Sequence, residues 1–172
     1  MKLFSRRQRQ SRPENWIMLY YVYPGEHDLS SKDYLTGVGR AQAELASAVI
    51  WEHVGNAEVI VFSSEQKAGP HAKTTEVIAT SLGIGVEKAC FHHEFGDSAI
   101  TPELLHYLSR GINRFVLVEN GSFISNLIRK SHGPTAAVDP ILTTHGSVHV
   151  MRIQLTEPQL GGKVTEKYFI GE

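Results

Sequence analysis

The chain has a single cysteine, Cys90, so no disulfide can close within it. That scarcity is expected of a protein kept in a reducing compartment, and a cytoplasmic location is the reading. No apolar run approaches the roughly 18 residues that a membrane helix needs, so membrane insertion is not expected. No sign of charge dominates: 17 Lys and Arg stand against 18 Asp and Glu, for a net charge of -1. Such a balance offers no broad basic field for nucleic acid and no acidic tail. H-E-x-x-H and paired C-x-x-C are missing, so no metal site is assigned. The "GVG" at 37–39 lacks a third glycine and a preceding strand, so it is no dinucleotide fingerprint, and no cofactor is expected. Repeats, low-complexity tracts and interdomain linkers are also lacking.

What is present fits one domain. The 172 residues suffice to bury a real core, and 41% are hydrophobic. Residues 1–14 carry Arg6, Arg7, Arg9 and Arg12 and read as a basic, disordered tail. No apolar segment sits between that tail and the first strand, so a signal peptide is not expected. The tail is also the one place where nucleic acid or a membrane surface would be contacted. Residues 15–172 read as the folded domain.

Along that domain, strand and helix patterns alternate. "WIMLYYVY" (16–23) is a continuous apolar run, as expected of a strand covered on both faces. "AQAELASAVIWEHV" (41–54) has helical spacing, with Leu45, Val49 and Ile50 on one face and Thr36 as the N-cap. "EVIVFSS" (58–64) and "RFVLVEN" (114–120) read as further buried strands. "AKTTEVIATSL" (72–82) reads as a helix ended by Gly83. "VEKACFH" (86–92) suggests a short strand, with Cys90 as a buried, inert thiol. "TPELLHYLSRG" (101–111) has a capping threonine, a proline at the first helical position and a terminal glycine. "SFISNLIRKS" (122–131) reads as a helix. "SVHVMRIQL" (147–155) alternates like a strand nearer an edge, with "KVTEKYFI" (163–170) to pair with it.

This order implies an α/β sandwich with a mostly parallel sheet. Ligands in such folds bind outside the carboxyl ends of the strands. Three loops therefore matter most: "YPGEHD" after the first strand, "SSEQKAGPH" after the second and "ENGS" after the third.

The segments flanking those loops resemble a known family. "LTGVGRAQAELASAV" is similar to the L-T-x-x-G-x-x-Q-A segment of the histidine phosphatase (phosphoglycerate mutase-like) superfamily, with Leu35, Thr36, Gly39, Gln42 and Ala43 matching. "VIVFSSEQKAGPHAKTTEVIATSLGI" resembles that family's S-S-P-x-x-R-A-x-x-T-A-E segment, where Ser63, Ser64, Thr74 and Glu76 match, with about two extra residues around Gly69 and Pro70. "FVLVENGSFISNLI" resembles V-x-S-H-G-G-V-I, matching at Gly121 and Ile124. "LYYVYPGEHD" then falls on L-x-x-V-R-H-G-E, with Val22, Gly25 and Glu26 matching. The resemblance runs from Ile17 to Ile128, and "LTTHGSVHVMRI" looks like the last strands of the shorter members. It implies a three-layer sandwich and a phosphoryl pocket of two histidines, two arginines and an acid. In that pocket one histidine attacks phosphorus and the cations stabilise charge.

Carried over residue by residue, the pocket is degenerate. The nucleophilic histidine falls on Pro24 and the arginine before it on Tyr23. The second arginine falls on Ala68, or on Pro70 if the insertion lies earlier, and the second histidine falls on Asn120. Only the general acid is retained, as Glu94. Losing one member of such a unit commonly removes a factor of roughly 10⁴ to 10⁶ in rate. Losing both arginines removes the forked phosphate contacts. The expectation is a catalytically inactive phosphatase-like domain, a pseudoenzyme acting as a structural or binding module. Its partner would be a protein or a small anion, and its ligand candidates are Glu26, His27, Lys67, His71 and Glu94. The alternative is a phosphatase with a site rebuilt from Glu94, His71 and Lys67. A metal at His92, His93 and Glu94 is disfavoured, because neighbours on a strand point to opposite faces. On the plainest reading the three loops are connectors, and Pro24 only ends the strand.

Overall fold

The computed structural model describes residues 16–63, 69–87, 102–119, 144–156 and 161–170. Nine elements run along them: β1 (Trp16–Val22), α1 (Gly37–Val54), β2 (Ile60–Ser63), α2 (Pro70–Leu82), β3 (Val86–Glu87), α3 (Pro102–Ser109), β4 (Arg114–Val118), β5 (Val148–Thr156) and β6 (Gly161–Ile170). The strands form one six-stranded sheet in the order β3-β2-β4-β1-β5-β6. The β3-β2, β2-β4 and β4-β1 pairs are parallel, whereas β5 runs antiparallel to β1 and to β6.

The apolar run of β1 is buried on both faces, and alternate residues serve different layers. Tyr20 and Val22 join Val61, Val116, Val118 and Val150 in a cluster with Ala43, Ala46 and Ile50 of α1 and Val77 and Ile78 of α2. Tyr21 and Phe115 point the other way. There Phe62 stacks on Phe115 with ring centroids 5.6 Å apart, and Tyr107 of α3 meets Phe62 edge-on at 5.9 Å. The result is a three-layer sandwich with α1 and α2 on one face and α3 on the other. Each fully buried Val, Leu or Phe contributes about 1.5–3 kcal/mol, so the sheet is the main source of stability.

The helix boundaries follow local chemistry. Thr36 caps α1, its Oγ1 accepting from the Gly39 N–H at 3.0 Å. Pro70 opens α2, and Gly83, left-handed at φ 69°, closes it. Two expectations need correction. The buried stripe of α1 is Gly39, Ala43, Ala46, Ser47, Ile50 and Val54, while Leu45 is 57% exposed. Small residues take the inward face because α1 packs closely on the strand-end loop and on α2. The strand expected from residue 58 starts at Ile60, and its described part is Ile60–Ser63; of the 86–92 run the described strand covers Val86–Glu87. As expected of a strand nearer an edge, β5 lies next to the edge strand β6 and pairs with it. Its alternation reflects half-buried His149 and Arg152 between buried neighbours. The helix expected at 122–131, Cys90 and the basic tail lie outside the described residues.

Candidate functional site at the strand ends

β1 ends at Val22, and the chain turns through Tyr23, Pro24 and Gly25 into the first loop. The loop is held by a network with few free choices. Gly25 N–H donates to the buried Thr74 Oγ1 of α2 at 3.1 Å. Glu26 N–H donates to Gln42 Oε1 of α1 at 2.8 Å. Thr36 N–H donates to the Glu26 carbonyl at 3.0 Å, and Thr36 Oγ1 donates to Glu26 Oε1 at 2.9 Å. Two glycines let these backbones touch. A Cβ added at Gly39 would lie 2.8 Å from both N and C of Glu26 and overlap its carbonyl oxygen. A Cβ added at Gly25 would lie 2.9 Å from the Gly39 carbonyl carbon. Gly25, Glu26, Thr36, Gly39, Gln42 and Thr74 are therefore the residues that fix the loop against α1 and α2.

The antiparallel partner closes the loop from the other side. Val22 pairs with Val148, so the turn before β5 abuts Tyr23. Tyr23 N–H donates to the Ser147 carbonyl and Gly146 N–H donates to the Tyr23 carbonyl, each at 3.0 Å. Gly146 sits at φ 76° with Gln42 Cβ only 2.7 Å from where its own Cβ would be, so only glycine fits there. This turn delivers His145. Its Nδ1 lies 2.9 Å from the Pro24 carbonyl oxygen. A carbonyl can only accept, so Nδ1 carries the proton and the neutral ring keeps its lone pair on Nε2. The His145 ring lies 5.5 Å from Tyr23 and 5.6 Å, edge-on, from His27. His27 Nδ1 in turn reaches the Gly25 carbonyl at 3.2 Å.

Pro24 is buried, Tyr23 half-buried, and Glu26 and His27 exposed. His71 lies in the first turn of α2 with its Nε2 buried, and its carbonyl accepts from Thr75 Oγ1 at 2.8 Å. Lys73 on the same helix is engaged with Glu76 at 2.8 Å. Pro70, the other position considered for the second arginine, is the first residue of α2. Ala68, Lys67, Glu94 and Asn120 lie outside the described residues. Among the described residues no group of three or more His, Cys, Asp or Glu is placed to hold a metal ion.

The electrostatics beneath the loop are set by burial. Tyr21 is fully buried, and its hydroxyl donates to the Glu119 carbonyl at 2.5 Å. Desolvation first, then electrostatic repulsion from Glu119 and Tyr23, hold its phenol well above the ordinary range. At the loop's outer end the Ser30 hydroxyl and backbone N–H bind Asp28 and lower its carboxyl from the usual value. Sequence reasoning missed His145. Its position comes from the antiparallel register of β5 on β1, which places residue 145 against residues 23 and 24.

With this geometry the chain is similar to several solved structures. The protein histidine phosphatase SixA complexed with tungstate matches at 16% identity and a TM-score of 0.58, over 89% of this chain and 97% of that one. A phosphoglycerate mutase from Bacillus anthracis matches at 13% identity and 0.53, over 83% and 90%. A mycobacterial glucosyl-3-phosphoglycerate phosphatase complexed with VO3 matches at 11% identity and 0.52, over 87% and 98%. No protein-family model matches the chain, and no curated protein matches its sequence. These neighbours are members of the histidine phosphatase superfamily, and the likeness shows the fold: an α/β sandwich of the phosphoglycerate mutase-like kind.

Proposed function

We propose that the protein is a phosphatase-like domain that has lost phosphoryl transfer and serves as a structural or binding module. One contrast carries the reading. The residues that resemble the family are those that hold the loop: Gly25 on Thr74, Glu26 on Gln42 and Thr36, and Gly39 against Glu26. The positions where the family places its arginine and nucleophilic histidine are Tyr23 and Pro24. Pro24 has no atom that attacks phosphorus, and its carbonyl is taken by His145. Tyr23 brings an aromatic ring where a forked cation would meet phosphate, and that ring lies against His145. Solved neighbours hold tungstate and VO3; here Tyr23 and Pro24 supply no positive charge for such an anion.

A second reading has one observation in its favour. His145, with Nδ1 tied to Pro24, keeps an Nε2 lone pair beside the loop, and a site rebuilt with His71, Lys67 and Glu94 would use it as base or nucleophile. Calorimetric titration with inorganic phosphate at pH 7.5 separates the two. The module reading expects no binding tighter than about millimolar. A micromolar dissociation constant that weakens in His145→Ala or Lys67→Ala contradicts it.

A further inference from the structure

Toward the opposite end of the sheet from these loops, α1 and α2 leave an open groove of about 540 Å³ between their C-terminal halves. Its walls include Glu44, Ala48, Trp51 and Glu52 on α1 and Thr80 and Ser81 on α2. No Lys, Arg or His is among its lining residues. Trp51 is 55% exposed, and Leu45, one residue from Glu44 on the same outer surface, is 57% exposed. Both helices end here, at Val54 and Leu82, so their negative dipole ends lie at the same end of the groove. Two carboxylates, an exposed indole and two helix C-termini suit a guanidinium. Its plane stacks on tryptophan and its fork matches a carboxylate.

We propose that this groove docks an arginine-rich segment, and that the segment is this chain's own residues 1–14. Charge complementarity argues for it. Lys2, Arg6, Arg7, Arg9 and Arg12 stand against one acid, Glu14. Position argues for it too. That segment joins the described structure at Trp16, the amino end of β1. α1 starts at the carboxyl end of β1 and returns alongside it, so Trp51 and Glu52 lie at the end where the segment begins. Fourteen residues reach up to about 46–50 Å when extended, ample to cross from the sheet to the outer face of two helices. The inference is independent of the strand-end pocket.

Limited trypsin digestion of the full chain tests it, read as the rate of cleavage after Arg6, Arg7 and Arg9; the bond after Arg12 precedes Pro13 and resists trypsin. Exposed Glu44, Trp51 and Glu52 can be changed without disturbing the core. Cleavage is expected to be roughly tenfold faster in Glu44→Gln/Glu52→Gln than in the parent, the scale of two exposed ion pairs. Trp51→Ala moves it the same way. The protection fades with added salt, as screening requires, and is independent of protein concentration. Equal cleavage rates in parent and variants overturn the proposal. Protection that grows with protein concentration overturns the assignment to the same chain, and makes a second copy's segment the occupant.

Discussion

Changing Gly39 to alanine and changing Gly37 to alanine should have opposite effects, although the two lie two residues apart on α1. Alanine is favoured over glycine within a helix by up to about 1 kcal/mol. At Gly37 nothing stands within 4 Å of the added Cβ, so Gly37→Ala should stabilise by up to about 0.5–1 kcal/mol. At Gly39 the Cβ meets backbone: N and C of Glu26 at 2.8 Å, and the Glu26 carbonyl in outright overlap. No side chain can rotate away, so the loop must shift. Overpacking of this kind costs about 1–3 kcal/mol. The shift also strains the Glu26 N–H bond to Gln42 and the Thr36 N–H bond to the Glu26 carbonyl, each contributing about 0.5–1.5 kcal/mol. After subtracting the helix gain, Gly39→Ala should destabilise by roughly 1–4 kcal/mol. Urea unfolding followed by far-ultraviolet circular dichroism measures both, with unchanged slopes required for comparison. A Gly39→Ala protein as stable as the parent, or two variants shifted alike, would refute the close approach of loop and helix.

Tyr21→Phe should cost about 0.5–1.5 kcal/mol near neutrality through loss of the donor to the Glu119 carbonyl. It should also change the alkaline limb: the raised Tyr21 pKa means that the unfolded chain releases this proton above about pH 10 while the fold retains it. That contribution is intact below about pH 10 and declines above it, so the parent should lose about 1.4 kcal/mol per pH unit more than the variant there; parallel pH profiles contradict this. Thr36→Ala removes the cap of α1 and the bond to Glu26 Oε1, and should lower stability by about 1 kcal/mol in the same urea assay. Rebuilding the pocket as Tyr23→Arg, Pro24→His, Ala68→Arg and Asn120→His should raise phosphate affinity before any catalysis appears, since an error of about 1 Å costs roughly a hundredfold in rate. A quadruple variant that folds and binds phosphate no better than the parent removes the assignment of these four positions.

The sandwich was legible because its signals are local and strong. The unbroken run at 16–23, the threonine before α1, the glycine after α2 and the proline opening α3 each carry one physical instruction, and each holds in the structure. The inward face of α1 was misjudged at Leu45 because periodicity counts large apolar residues, whereas the close contacts of this helix are made by Gly39, Ala43 and Ala46. The loop's fastening was half visible: Gly25, Gly39, Gln42 and Thr74 were singled out by resemblance, and only the coordinates give the reason, backbone contact and two side-chain acceptors. His145 stayed hidden because its approach to Pro24 spans 121 residues and depends on the register of an antiparallel pair. Local patterns carry no register, so a contact of that kind emerges only after the sheet is assembled.

The most direct test of the central claim is phosphoryl transfer itself. The purified chain is incubated with an aryl phosphate and with 3-phosphoglycerate, and acid-labile, base-stable phosphohistidine is sought on the protein. With Pro24 and Tyr23 at the end of β1, neither phosphate release above the buffer rate nor phosphohistidine is expected. Turnover that stays with the protein through purification and disappears in Glu94→Gln or His145→Ala would contradict the account and assign the loop to a working phosphatase.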